Sequence, residues 1–195
     1  LVTVLQTGSL KVRPRLESKA TVGPSLAGQA VRRGVLSTAV AFGLVLAFML
    51  AFYLWAGLVA NLALVLNLVL LMGAMSFLQA TLTLPGIAGI VLTVGIAVDS
   101  NVLIYERIRE ELRAGRTAIS AIDAGFTRAL ATILDSNITT FIAAAVLFYI
   151  GTGPVRGFAV TLGIGIITTV FTAFTVTRLI VAMWVAWKRP KTVPI

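Results

Sequence analysis

Long uncharged apolar runs, broken by short polar stretches, dominate this sequence. Five windows, at residues 35–55, 61–78, 84–105, 131–150 and 157–177, come close to the ~20 residues that a helix needs to cross a bilayer core. The pattern predicts an all-α polytopic membrane protein with five transmembrane helices. Only a few residues join the first two windows, which predicts an antiparallel helical hairpin. Phe52, Tyr53 and Trp55 at the joint read as an aromatic belt at the interface. Pro85 and Gly86 open the third window, where proline fits a helix's first turn.

Two stretches break the apolar pattern. Residues 106–130 are dense in charge and helical in period, with Glu106 and Glu110, and Arg109 and Arg113, four apart on one face. Gly115 is predicted to end one helix and Thr117 to cap the next, which is expected to lie along the membrane surface to about Leu130. Residues 1–30 differ again. LVTVLQ alternates and is rich in β-branched residues, the pattern of a short strand, and KVRPRLESKATVGPS reads as a charged linker. An isolated strand has nothing to pair with. Residues 1–30 are therefore expected to be the β/linker remnant of an external domain lying mostly upstream, and residues 31–195 the transmembrane domain. The chain starts at Leu1 and reads as a portion of something larger.

Composition agrees: 58% of the 195 residues are hydrophobic and the mean hydropathy is +1.01. The net charge of +9 sits in clusters at the ends of apolar runs, which points to lipid headgroups and membrane orientation and away from nucleic acid. The five arginines between the third and fourth windows, and the basic C-terminal tail, place both on the cytoplasmic side. The N-terminal end is then external. Its six basic residues ahead of the first window conflict with that, unless they adjoin a large translocated domain. Cys and His are absent, so thiolate metal sites and imidazole proton transfer are excluded, and proton chemistry falls to seven carboxylates. No nucleophile–base pair, metal cluster or phosphate loop is in view, and no enzymatic role, metal or cofactor is expected.

One of those carboxylates, Asp99, stands inside the third window, about 9 Å from its Tyr105 end at a helical rise of about 1.5 Å per residue. An ionised side chain at that depth costs roughly 2.5–3.5 kcal/mol on insertion scales, and such groups mark proton or ion pathways. Asp99 is the candidate proton relay; a carboxylate kept only to hydrogen-bond a neighbouring helix is the plainer alternative. Leu92, Gly95, Leu103 and Glu106 share its face, and Gly95 leaves room for another backbone or water. In the fourth window Asn137, Thr139 and Thr140 lie at a similar depth, with Asp135 nearer the interface. Asn67 in the second window is read as an interhelical hydrogen bond. Gly157, Thr161, Gly165, Thr169, Ala173 and Thr177 recur every four residues in the fifth, a small-residue ridge for close helix packing. No basic residue lies deep in any window except Arg178 near an end, so a cation for Asp99 is expected from another chain or segment.

The stretch LTLPGIAGIVLTVGIAVDSNVLIYERIREELRAGR, with AIDAGFTRALATILDSNITT and GTGPVRGFAVTLGIGI, resembles the SecD/SecF family of protein-export membrane subunits. TVGPSLAG resembles the point where SecD leaves its external domain. The resemblance covers nearly all of residues 20–185. It implies a six-span half-bundle of the resistance-nodulation-division superfamily, of which this chain holds five spans. It implies Asp99 as the proton-carrying aspartate, Asn101 in the same motif, and Asn137, Thr139 and Thr140 as the polar patch beside it. The implied partners are a SecF-type half, the SecYEG channel, exported polypeptide and membrane lipid, in a bacterial cytoplasmic membrane. The implied function is export driven by the proton-motive force. A proton-coupled small-molecule or lipid exporter of the same superfamily, and a structural translocon scaffold, are the alternatives.

Overall fold

The computed structural model describes residues 24–188. The strand expected in LVTVLQ, most of the external-domain linker and the basic tail beyond Lys188 lie outside the described residues. Within them the protein is all-helical, with four helices long and apolar enough to cross a membrane. They are α1 (Pro24–Phe77), α2 (Leu84–Arg113), α3 (Ala118–Ile150) and a rod of α4 (Pro154–Phe171), a π-helical segment (Thr172–Thr177) and α5 (Arg178–Lys188).

Helix α1 is a hairpin. It reverses at Leu54, whose φ of 46° and ψ of −114° are not helical. The Asn61 side-chain amide donates to the Leu46 carbonyl at 3.0 Å. Fifteen residues of straight helix would hold those groups about 22 Å apart. Gly57 makes the reversal close, since a Cβ there would lie 2.0 Å from the Met49 carbonyl oxygen. The antiparallel pair expected from the first two windows is therefore present, but it turns at one residue. Tyr53 departs from the expected interface belt. It is buried, its ring 5.7 Å from that of Tyr105, and Trp55 stacks on Trp184 at 4.2 Å. A reversal this tight turns its aromatics onto neighbouring helices, leaving only Phe52 exposed.

Helix α2 packs against every other long helix and forms the centre of the bundle. Thr83 caps it, accepting from Gly86 N–H at 3.1 Å, with Pro85 in the first turn. It runs past the expected window to Arg113, and Gly115 ends the turn with a φ of 85°. Helix α3 corrects a second expectation. The second part of the charged segment and the fourth window form one uninterrupted helix from Ala118 to Ile150, with no break at residue 130. Nothing between Phe126 and Ile150 breaks a helix, so neither glycine nor proline marks the change from polar to apolar composition. Its 33 residues span about 50 Å, longer than a hydrocarbon core of about 30 Å.

The seam between α2 and α4 is built from small residues. A Cβ at Gly165 would lie 2.2 Å from the Thr93 side chain, and one at Gly157 2.5 Å from Thr83 Oγ1. Thr161, Thr169, Ala173 and Thr177 are buried along the same ridge. Without a hydrophobic driving force inside lipid, such close contact and interhelical hydrogen bonds hold helices together. The π segment at the end of the ridge coincides with threonines bonding back to the chain. Thr172 Oγ1 donates to the Thr168 carbonyl at 3.0 Å, and Thr177 Oγ1 to the Thr172 carbonyl at 3.3 Å.

Candidate functional site

Among the described residues, Asp99 lies on an uncovered face of the central helix. Leu84, Ala88, Val91, Leu92, Gly95 and Asp99 form an exposed stripe down α2. A Cβ on Gly95 would meet nothing within 4 Å. The opposite face carries the buried residues Ile90, Thr93, Val94, Ala97, Asn101, Ile104 and Ile108. Asp99 is thus turned out of its own bundle. Among the described residues no hydrogen bond or ion pair is found for its side chain.

The other predicted residues separate into groups. Asn101 faces the interior, its Nδ2 donating to the Ala97 carbonyl at 3.0 Å and its Oδ1 accepting from Thr177 Oγ1 at 3.0 Å. Asn67 Nδ2 donates to Thr169 Oγ1 at 3.1 Å across the bundle, as its position in the second window suggests. Asn137 is buried, bonded through Nδ2 to the Ile133 carbonyl at 2.7 Å, with its Oδ1 unpartnered. Thr139 and Thr140 donate to the carbonyls of Asp135 and Ser136 one turn back on their own helix. Thr139 and Asp135 are exposed. No direct hydrogen bond joins this patch to Asp99 or Asn101 among the described residues.

Glu106 lies at the charged end of α2, on the face of Asp99. Tyr53 Oη donates to its Oε1 at 3.0 Å, and Arg109 Nη1 reaches the same oxygen at 2.5 Å. The Arg109 guanidinium also sits 5.4 Å from the centre of the Tyr53 ring. Sequence reasoning missed Tyr53 as a partner, because 53 residues separate it from Glu106, whereas Arg109 is an i,i+3 neighbour on the same helix. It also missed Glu111. That side chain is 4% exposed and ion-paired to Arg116 at 2.7 Å and to Arg128, which ties the α2–α3 turn to α3. The signal was there: Ile104, Ile108 and Glu111 follow the helical period of the buried stripe. Arg178 pairs with Asp123 at 3.0 Å.

Taken together, these features define a helical membrane domain whose central helix presents, among the described residues, a single unpaired carboxylate on an exposed face. Comparison with known proteins names the family. Residues 5–187 match the family described as protein export membrane protein SecD/SecF, C-terminal, and the chain belongs to it. Protein translocase subunit SecD of Calditerrivibrio nitroreducens is 51% identical over 180 residues, 92% of this chain and 35% of that protein. The Acetobacter pasteurianus subunit of the same name is 49% identical over 195 residues, 100% of this chain and 37% of that protein. The crystal structure of SecDF from Thermus thermophilus, a translocon-associated membrane protein, superposes with a TM-score of 0.83 at 43% identity, over 88% of this chain and 24% of that one. The chain therefore spans little more than a third of the length of these curated relatives.

Proposed function

We propose that this chain is the transmembrane portion of a SecD-type subunit that uses the proton-motive force to drive polypeptide export across a bacterial cytoplasmic membrane. The two limbs of the α1 hairpin, α2, α3 and the α4–α5 rod make five crossings. The charged ends of α2 and α3 face the cytoplasm, in keeping with the positive-inside rule. The observation that carries the reading is the place of Asp99: within a helix long and apolar enough to cross a membrane, exposed on its own bundle, and without a cation from its own described chain. Such a carboxylate is costly unless something covers it, and a second, SecF-type half supplies that cover. Protonation of Asp99 then changes how the two halves pack, which is the bistable element that a switch requires. About 2.3 kcal/mol per charge is available for each 100 mV of membrane potential. SecYEG and emerging polypeptide are the further partners, and protons replace any cofactor.

Export of a secreted reporter under an imposed proton gradient tests this. Asp99→Asn is expected to abolish the gradient-dependent part while the protein still assembles in the membrane. Undiminished gradient-dependent export by that variant would sink the reading in favour of a structural scaffold.

A further inference from the structure

Two carboxylates at the charged end of α2 are held in different ways. Glu111 is buried with each oxygen taken by an arginine, Oε2 by Arg116 and Oε1 by Arg128. That is a clamp. Glu106 is 40% exposed, and both of its partners, Tyr53 Oη and Arg109 Nη1, share one oxygen, Oε1. Its Oε2 receives no hydrogen bond among the described residues. A carboxylate fixed by one oxygen and free at the other is held in place yet still able to take a proton.

Its place along the helix is equally specific. Seven residues separate Asp99 from Glu106, just under two turns, so the two stand on one face with an axial separation of about 10.5 Å. Between them on that face lie Val102 and Leu103, both partly exposed. Glu106 is therefore the first carboxylate met along the uncovered stripe from Asp99 towards water. Tyr53 owes its position to the strained Leu54 turn beside it and to the Tyr105 ring 5.7 Å away. Arg109 faces Glu106 from its own helix and Tyr53 from α1, while Arg107 and Glu110 pair with each other at 2.8 Å. No charged group of α3 or α5 is within ion-pair distance of Glu106 among the described residues.

We infer that Glu106 is a second proton-carrying residue, relaying between Asp99 and the water at the charged end of α2, with Tyr53 and Arg109 as its positioning residues. The inference rests on the reading of Asp99 as a proton carrier. In the relay, the Asp99 carboxylic acid gives its proton through intervening water to Oε2 of Glu106. Asp99 is left as a carboxylate and Glu106 neutral. Glu106 then passes the proton to bulk water, regains its charge and restores the pair with Arg109.

Proteoliposomes holding the intact export subunit test this, with proton flux under a pH gradient followed by an entrapped pH-sensitive dye. Asp99→Asn is expected to abolish the flux. Glu106→Ala is expected to lower it on the order of 100-fold, the scale of a lost acid–base group, with added formate restoring it. Glu106→Gln keeps the acceptor for Tyr53 and is expected to fold normally yet stay as slow as Glu106→Ala. Full flux in Glu106→Ala beside a dead Asp99→Asn overturns the relay alone. Loss in Glu106→Ala that neither formate nor Glu106→Asp repairs makes Glu106 a structural pin and also overturns it. A silent Asp99→Asn overturns the reading of Asp99, and the relay with it.

Discussion

At the scale of the residue, three acidic side chains of one helix sit in three different surroundings. Asp99 faces outward and is unpaired among the described residues, Glu106 is held by one oxygen, and Glu111 is buried between two arginines. Removing one partner of a fully buried ion pair costs about 3–5 kcal/mol. Arg116 and Arg128 stay 44% and 61% exposed, so water recovers part of that. Glu111→Gln is expected to destabilise the domain by about 2 kcal/mol, read as a lowered thermal midpoint in detergent, without changing proton flux. By contrast, Asn67→Leu removes one interhelical hydrogen bond, and the same assay should register only about 0.6 kcal/mol. Asp99 was legible as a candidate in the sequence, since charge inside an apolar window is visible there, and Glu106 because it follows on the same helix face. The Tyr53 partner of Glu106 was not, because it depends on where the hairpin places that ring.

At the scale of the element, close approach is set by a few glycines. Gly165→Val puts new atoms where Thr93 already stands, 2.2 Å from the first added carbon. It is expected to cost about 1–3 kcal/mol by overpacking, measured as lost thermal stability and faster proteolysis of the α4–α5 rod. The four-residue ridge was readable from spacing alone. The π segment at its end was not, because threonine hydroxyls bonding to their own backbone leave no distinct mark on the hydrophobic pattern. Such segments concentrate at functional sites, and this one delivers Thr177 to Asn101. The merging of the charged segment with the fourth window into α3 was also hidden. A composition change looks like a boundary, but a helix ends only where its backbone is interrupted.

At the scale of the whole molecule, polarity is arranged for lipid. Leucine, isoleucine, valine and phenylalanine cover the outside, while Asn67, Asn101, Asn137 and a row of threonines lie buried. An apolar exterior is satisfied by acyl chains, so apolarity by itself says nothing of a partner. The α2 stripe stands apart because it contains Asp99 and the open Gly95. Gly95→Leu is expected to leave the stability of this domain within about 0.5 kcal/mol, since among the described residues a Cβ there meets nothing within 4 Å. If a second half packs on the stripe, the same variant loses co-purification with that half while Gly73→Leu, also open, keeps it.

The sequence by itself determined that this is a helical membrane domain with long apolar helices, and it singled out Asp99 as a charge inside an apolar run. Those properties are local: hydropathy, length and the cost of a charge in lipid act on each segment alone. Only the tertiary structure decided which way each polar group turns. It set Asp99 outward and Asn101 inward, two residues apart, and drew Tyr53 across to Glu106. Facing depends on the rotation of one helix against its neighbours, and that is fixed by packing at the glycine seams, which no single segment contains.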